Sequence, residues 1–504
     1  MKNAVSGFAY AAVALVLQGC RTPGFEERAQ DAAQFRASLA EETRAFFSTH
    51  TAPLTLAEAM DLARQRTLKL TQEQLDRHLA QIQRATAFSA FLPSVEATFS
   101  RQGTDVTIWR SIGAMTVKMN DQYANTAGIT LTQPIFTPSA WLLFVESKYA
   151  LRAQDLVRAR AEELLDVQVA SLFYQTAVSE KMVKTYELQR DATRTLAAQI
   201  DALAAQGYAL SAEQARAKAR LASDALQLRE AADTLKLTRS RLFEILRFWP
   251  LEDVVVDGGS MTAVLDRDWV LADDRGEARR IPRDEIMAFT TEELLWQTLI
   301  NRKELWAGDQ SIKISKTEVL RALTGFLPTL YGSASANYTS ESMQIPSQYW
   351  GGGVSAVVSL FSGFRTVNDY RAAKARRKAE YQAQEDRALA LIVATFEAHR
   401  NWRRSFEQRE AADLALRAAE LDYRVVQARY QEDQETLSDV LDKLAVLENA
   451  RVQAVAAEYA CALAEIVLRD AAGVGLGEVR GMEKAAAEAF REESLWKGLW
   501  GDRK

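Results

Sequence analysis

The sequence predicts a mainly α chain with a membrane β-barrel portion, built from two copies of one plan. Two observations carry this. Period-two alternation follows a Phe-Leu-Pro triplet at Phe91-Leu92-Pro93 and again at Phe326-Leu327-Pro328, 235 residues later. Each alternating stretch then leads into a segment almost free of helix breakers: only Gly207 interrupts Ser139 to Trp249, and neither glycine nor proline occurs from Phe364 to Ala472.

Composition narrows the function classes. The chain has 504 residues, 48% apolar and 26% charged, with a formal net charge of −5, so it is neither disordered nor basic enough for nucleic acid. Beyond the first twenty residues no uncharged apolar run approaches the roughly 18 residues of a transmembrane helix, so a membrane span has to be made of strands. The two cysteines, Cys20 and Cys461, give no disulfide framework.

In chain order, Lys2, the apolar run Phe8 to Leu17 and the small residues before Cys20 read as a secretory signal over residues 1–19. Leu17-Gln18-Gly19-Cys20 resembles a bacterial lipobox, with Gln18 in place of the usual small residue. That resemblance implies an acylated Cys20 (palmitate among its chains) and, because Arg21 rather than aspartate follows, sorting to the outer membrane. Residues 20–53 are polar, a lipidated N-terminal tether or a peripheral helix. Residues 54–249 form repeat 1: a helix to Ala90, a hairpin at about 94–135, and long helices folded back on each other. Residues 290–475 repeat the plan with a hairpin at about 329–361. Residues 250–289 are a linker element with strand-like Val254-Val255-Val256 and Trp269-Val270-Leu271, and 476–504 are an amphipathic tail.

The hairpins alternate cleanly. Val95, Ala97 and Phe99 oppose Ser94, Glu96, Thr98 and Ser100; Ile129 and Leu131 oppose Thr130 and Thr132. In the second copy Leu330, Gly332, Ala334, Ala336 and Tyr338 oppose Tyr331, Ser333, Ser335 and Asn337, and Val354, Ala356, Val358 and Leu360 oppose Ser355 and Ser359. One apolar and one polar face is the pattern of a water-filled membrane barrel. Pro93 and Pro328 mark the helix-to-strand boundaries, since proline cannot continue a helix and pushes its predecessor to extended backbone. A single helix of each long segment would reach roughly 160 Å, so each is read as two helices bent at a tip, at Gly207 in repeat 1 and at Gln431 to Glu435, around Asp433, in repeat 2. Leu437, Val440, Leu444 and Leu447 then recur as a coiled-coil seam.

Leu54 to Ala59, Phe91-Leu92-Pro93, Gln133-Pro134-Ile135-Phe136, Asn301-Arg302-Lys303-Glu304-Leu305, Phe326-Leu327-Pro328, and Tyr430 with Thr436 to Asp442 together resemble the TolC family of outer-membrane efflux proteins. The resemblance covers roughly residues 54–475. It implies a homotrimer whose chains each give four strands to a 12-stranded barrel, continued by a helical periplasmic tunnel. It also implies a passive conduit in a tripartite efflux or type I secretion system, working with a periplasmic adaptor (membrane fusion) protein and an inner-membrane pump. Three features depart from the family pattern: Lys303 stands where proline is usual, Asp433 where the tip glycine is expected, and the C-terminal tail is added. The barrel physics reaches oligomerisation independently, because four strands cannot close and open edges in lipid leave costly unpaired backbone groups.

Asp439 and Asp442 lie one helical turn apart. In the resemblance this pair lines the periplasmic entrance as a cation-attracting gate; otherwise it is a solvated helix face. His50, His78 and His399 have no ligand spacing, and no nucleophile motif or phosphate loop occurs, so no catalysis, metal or cofactor is expected. Met115 and Met119 are too few for a Cu(I) site. The alternative function is a periplasmic coiled-coil adaptor or structural lipoprotein, which would need no hairpins of lipid-facing alternation.

Overall fold

The computed structural model describes residues 24–50, 52–207, 210–250, 256–258, 269–272, 278–282, 285, 289–341, 344, 346–432 and 434–476. The signal segment, Cys20, Asp433, Val254 and Val255, and the tail beyond Leu476 lie outside the described residues.

A first helix, α1 (Phe25–Thr49), occupies what the sequence allowed as tether or helix. Its end is docked: Phe46 and Phe47 stack on Phe248, and the Trp249 N–H donates to Thr43 Oγ1 at 2.8 Å. Helices α2 (Leu56–Arg66) and α3 (Leu68–Ser89) follow, and their counterparts α6 (Thr291–Asn301) and α7 (Lys303–Thr324) fall at the same 235-residue offset. The start of each copy is fixed by the same capping box: Thr55 with Glu58, and Thr290 with Glu293, exchange side-chain and backbone hydrogen bonds. Each copy leaves the helix the same way. Phe91 and Leu92 N–H donate to Phe88 and Ser89 carbonyls, and Phe326 and Leu327 to Leu323 and Thr324. Proline comes next in both, and the strand begins.

Four strands form one antiparallel sheet in the order β1 (Ser94–Gly103), β4 (Tyr123–Phe136), β7 (Thr329–Thr339), β8 (Gln348–Val357). Register puts the two hairpins in phase: Val95 faces Leu131 and Ala97 faces Ile129, while Leu131 faces Ala334, Ile129 faces Ala336, and Ala334 and Ala336 face Gly352 and Trp350. The apolar faces read separately from each strand thus become one surface, with Thr130, Thr132, Ser333, Ser335 and Ser355 on the other side. Both outer strands, β1 and β8, are exposed along their whole length and leave one edge unpaired. Aromatic and large apolar side chains border the sheet at both ends: Tyr123, Tyr338 and Trp350 at one, Phe91, Trp141, Phe326, Phe361 and Phe364 at the end that meets the helices. Such girdles flank the apolar band of membrane barrels.

Two details differ from the sequence reading. The return strand β8 stops at Val357 and does not run on through Val358 and Leu360. Thr329 is paired with Val357, so the next partner of Val358 would be Pro328, which has no N–H to give to a ladder. In β4, Pro134 produces a register shift before Phe136 for the same reason. The longer loop of the first hairpin is itself a hairpin, β2 (Trp109–Ile112) with β3 (Met115–Lys118), reached through the Thr104 to Gln122 and Met119 to Ile108 backbone bonds.

Below the sheet run the long helices α4 (Pro138–Ala205), α5 (Ser211–Leu246), α8 (Arg365–Gln431) and α9 (Leu437–Ala471). The helix layer α3, α4, α7, α8 repeats the strand order above it, so each strand continues into its own helix position. Further down, α5 pairs with α4, and α9 with α8 and α4. Gly308 makes room for the Gln384 side chain between α7 and α8: a Cβ there would meet the Gln384 amide, which donates to the Leu305 carbonyl at 2.8 Å. The main core lies between α2, α4 and α5, around Phe173, Tyr174, Phe243 and Leu246. The linker contributes β5 (Trp269–Ala272) and β6 (Ala278–Ile281); Trp269 is buried against Leu468 and Ala471, with the Arg469 guanidinium over its ring. Among the described residues no helix is long and apolar enough to cross a membrane.

Candidate functional site

Gln133 joins two of the sequence motifs at the helix-to-strand boundary. Its side-chain amide donates to the Phe91 carbonyl at 2.9 Å and to the Pro134 carbonyl at 2.8 Å. Pro93 and Pro328 therefore sit where the helical layer turns into sheet, each one residue before its strand.

The two tips lie side by side. Gly207, with φ of +80°, closes α4 in the left-handed region that glycine tolerates, and its N–H returns to the Ala204 carbonyl. In repeat 2 the Gln434 N–H returns to the Arg429 carbonyl at 2.9 Å. Ala197, Ile200 and Ala217 of the first tip pack on Leu437 of the second, so one end of the molecule gathers both bends. Leu437, Val440, Leu444 and Leu447 are all buried, and Leu447 packs on Ala419 and Ala450.

Asp439 and Asp442 open α9 at this end. Asp439 closes a third capping box: its carboxylate accepts from the Thr436 hydroxyl at 2.5 Å and backbone N–H at 3.1 Å, and these bonds hold it below the usual aspartate range. Asp442, one turn on, is exposed. Asp439, in the first turn, sits where the helix dipole favours negative charge. The structure thus gives Asp439 a local role that the sequence reading did not assign, while leaving the Asp442 carboxylate to solvent. Glu213 plays the matching capping role in repeat 1, accepting from the Leu210 N–H at 3.0 Å.

Two ion clusters went unread in the sequence. The first is a buried knot between the repeats. Arg160 of α4 reaches Asp470 of α9 at 2.5 Å, Glu304 of α7 at 2.7 Å and Glu163 at 3.3 Å; Arg302 bonds Glu304 at 2.8 Å, and Lys303 bonds Glu163 at 2.6 Å. Arg302, Lys303 and Glu304 of the Asn301 to Leu305 motif thus belong to the knot, Lys303 bringing a charge where the resemblance leads one to expect proline. Gly473, with φ of +78°, lets the chain pass against Asn301, where a Cβ would press on its backbone. The second cluster lies nearer the tips: Arg220 of α5 bridges Asp224 at 3.1 Å and Glu448 of α9, while Gln189 and Thr193 also hold Asp224. No local motif announces either cluster, because the partners come from helices up to 310 residues apart.

Burial and the neighbouring Asp224 push the Glu448 carboxyl up to about 7, with Arg220 opposing. A carboxyl raised in the folded state binds more protons folded than unfolded between about pH 4.5 and 7, so its contribution to stability is full below that window and is lost as pH rises through it. Wild-type protein is expected to gain more melting temperature than Glu448→Gln when the pH is lowered from 7.5 to 5. Identical pH dependence of the two in thermal unfolding would refute this assignment.

The histidines do not converge. His399 is 2% exposed, bonded to Thr291 Oγ1 at 3.1 Å and stacked on Trp402, and its burial beside Arg403 and Arg400 lowers its pKa. His50 stacks on Phe46 near Glu58, and His78 lies beside Gln81. Cys461 is buried and unpaired, and Met115 and Met119 are exposed on the outer hairpin. Among the described residues no cluster of histidine, cysteine and acidic side chains could hold a metal ion.

Residues 294–474 match the model of the outer membrane efflux protein family. No curated protein sequence matches the chain. Among solved structures, the outer membrane protein VceC of Vibrio cholerae is similar at a TM-score of 0.66 and 16% identity, over 84% of this chain and 96% of that one. The CmeC outer membrane channel of Campylobacter jejuni gives 0.65 and 16%, over 87% and 89%. The open state of the MtrE outer membrane channel of Neisseria gonorrhoeae gives 0.66 and 17%, over 84% and 90%. At such identities the likeness establishes the fold, and the fold extends well beyond the segment the family model covers.

Proposed function

We infer that this chain, which has the TolC-like channel fold and carries the outer membrane efflux protein pattern across its second repeat, is the outer-membrane channel component of an efflux or secretion system. The observation that carries this reading is the sheet. One apolar face runs unbroken across four strands, between two aromatic girdles, and ends in two unpaired edges. Such a sheet is at rest only in lipid, closed by other copies. Eight strands is the smallest barrel, and three copies, as in the TolC family, give twelve. The conduit is passive: solutes pass through the barrel and the helical tunnel, delivered by a periplasmic adaptor protein and an inner-membrane pump that supplies the energy. The runner-up, a soluble adaptor or rod, leaves the apolar sheet face without purpose.

Lipidation at Cys20 anchors the chain in this reading, on the strength of the Leu17 to Cys20 pattern alone. Mass spectrometry of the mature N-terminus should find a tri-acylated cysteine at position 20. An unmodified terminus, or one beginning further on, rules the anchor out.

The entrance is read as an acidic constriction. Three copies would bring six carboxylates from Asp439 and Asp442 to the tunnel mouth, where their summed negative potential attracts cations. In planar bilayers the channel should prefer small cations, and millimolar divalent or trivalent cations on the periplasmic side should reduce its current. Asp442→Asn should relieve the block without disturbing the fold, whereas Asp439→Asn also weakens the cap of α9. A block as strong in Asp442→Asn, and in Asp439→Asn with Asp442→Asn, as in the wild-type protein would reduce both acids to a solvated helix face.

A further inference from the structure

The first four turns of α8 are oddly charged. Between Arg365 and Glu380 the sequence places Arg365, Arg371, Lys374, Arg376, Arg377 and Lys378 against two acids, Asp369 and Glu380, and Glu380 pairs with Arg387 at 3.9 Å, in a chain whose net charge is −5. Two physical features make this arrangement unfavourable by itself. Arg371 and Lys374, Lys374 and Arg377, and Lys374 and Lys378 are like charges at three or four residues' spacing. Of these six cations only Arg365 has an ion-pair partner among the described residues, Asp369 at 3.8 Å, and Lys374 rests over the Tyr370 ring.

Neighbouring helices do not supply the missing anions. The adjacent stretch of α7 brings Lys313, Lys316 and Arg321 against Glu318, and Arg321 is already bonded to Glu146 at 3.0 Å. A second copy closing the layer would set its α3 beside this edge. From Asp76 to Ser89 that helix offers one acid and two arginines, so it adds positive charge.

What lies next to the cluster is the membrane boundary. Leu360, Phe361 and Phe364 are 92%, 75% and 66% exposed and directly precede Arg365. The basic residues therefore occupy the first roughly 20 Å of helix under the girdle, at 1.5 Å per residue. Basic clusters of this size beside a membrane span attract anionic lipids.

We propose that the N-terminal turns of α8 bind anionic phospholipid headgroups of the periplasmic leaflet, their phosphates meeting Arg371 and Lys374, with Arg377 and Lys378 further down the same side of the helix adding to the attraction; Arg376 lies on the opposite side, with Asp369 and Glu318. This rests on the outer-membrane channel reading, and the test keeps the two apart. Full-length protein is reconstituted in phosphatidylcholine, and the association of spin-labelled phosphatidylglycerol is compared with that of spin-labelled phosphatidylcholine. Wild-type protein should select phosphatidylglycerol at least threefold, and 0.5 M NaCl should remove that preference by screening. The variant carrying Arg371→Gln, Lys374→Gln, Arg377→Gln and Lys378→Gln should show none, while Arg371→Lys with Arg377→Lys keeps it. Conductance in pure phosphatidylcholine verifies that each variant is assembled. No selectivity in wild-type protein, or selectivity undiminished in the glutamine variant, overturns the proposal. So does a glutamine variant with altered anion-to-cation permeability but unchanged lipid selectivity, which would place the charges inside the conduit. Wild-type protein that selects phosphatidylglycerol yet conducts nothing upholds the headgroup site and overturns the channel reading instead.

Discussion

Ile129→Arg is expected to abolish recovery of assembled, membrane-embedded protein. Ile129 stands at the middle of β4, with Ala97 on one side and Ala336 on the other, and is 56% exposed on the apolar face. A guanidinium at the bilayer midplane costs about 2 to 4 kcal/mol in a membrane barrel, and the change is repeated in every copy. Thr130→Arg is the control. It lies one residue away on the opposite face, where Thr98 and Asn337 flank Gly128 and Ser335 pairs with Thr130. A lumen-facing arginine there is solvated, so assembly should persist. Both variants are assayed by heat-modifiable migration and by detergent dependence of extraction. Equal tolerance of both, or equal loss of both, would contradict a sheet with one lipid face and one aqueous face.

Arg160→Met should cause a large loss of stability in the helical part of the protein. The Arg160 side chain is 8% exposed and gathers Asp470, Glu304 and Glu163 from three helices. Removing one partner of a buried ionic cluster leaves the others uncompensated, at a cost of about 3 to 5 kcal/mol. Arg302 and Lys303 still contact Glu304, Asp470 and Glu163, which places the expectation toward the lower figure. Adding Asp470→Asn to Arg160→Met should recover part of the loss, because the pair is coupled and the excess negative charge falls. Thermal unfolding of the four proteins in one detergent gives the coupling. Strict additivity would mean that the knot is not a unit.

How much was legible beforehand follows from the range of each interaction. The alternation at Val95 to Ser100 and Leu330 to Tyr338 is a property of consecutive residues, so it could be read directly, as could the breaks at Pro93, Pro328 and Gly207. The end of β8 was misread because Val358 and Leu360 keep the alternation; what stops the strand is Pro328 across the ladder, which only the register reveals. Asp439 was read for its charge, yet Thr436-x-x-Asp439 is also a capping pattern, and that signal was there to be used. Arg160, Asp224 and Glu448 gave no such signal, since a charged residue on a long helix looks the same whether it meets water or a partner.

The sequence by itself determined the repeat, the two-faced strands, the long helices and the bends between them, because period, capping and chain stiffness act within a few residues. Tertiary structure alone decided that the two hairpins join edge to edge into a single apolar face, that both tips come to one end, and that Arg160 and Arg220 tie the repeats together. The physical reason is separation: strand register between β4 and β7, and the meeting of α4 with α9, depend on surfaces brought together from some two to three hundred residues apart. No local pattern encodes which of the possible partners arrives.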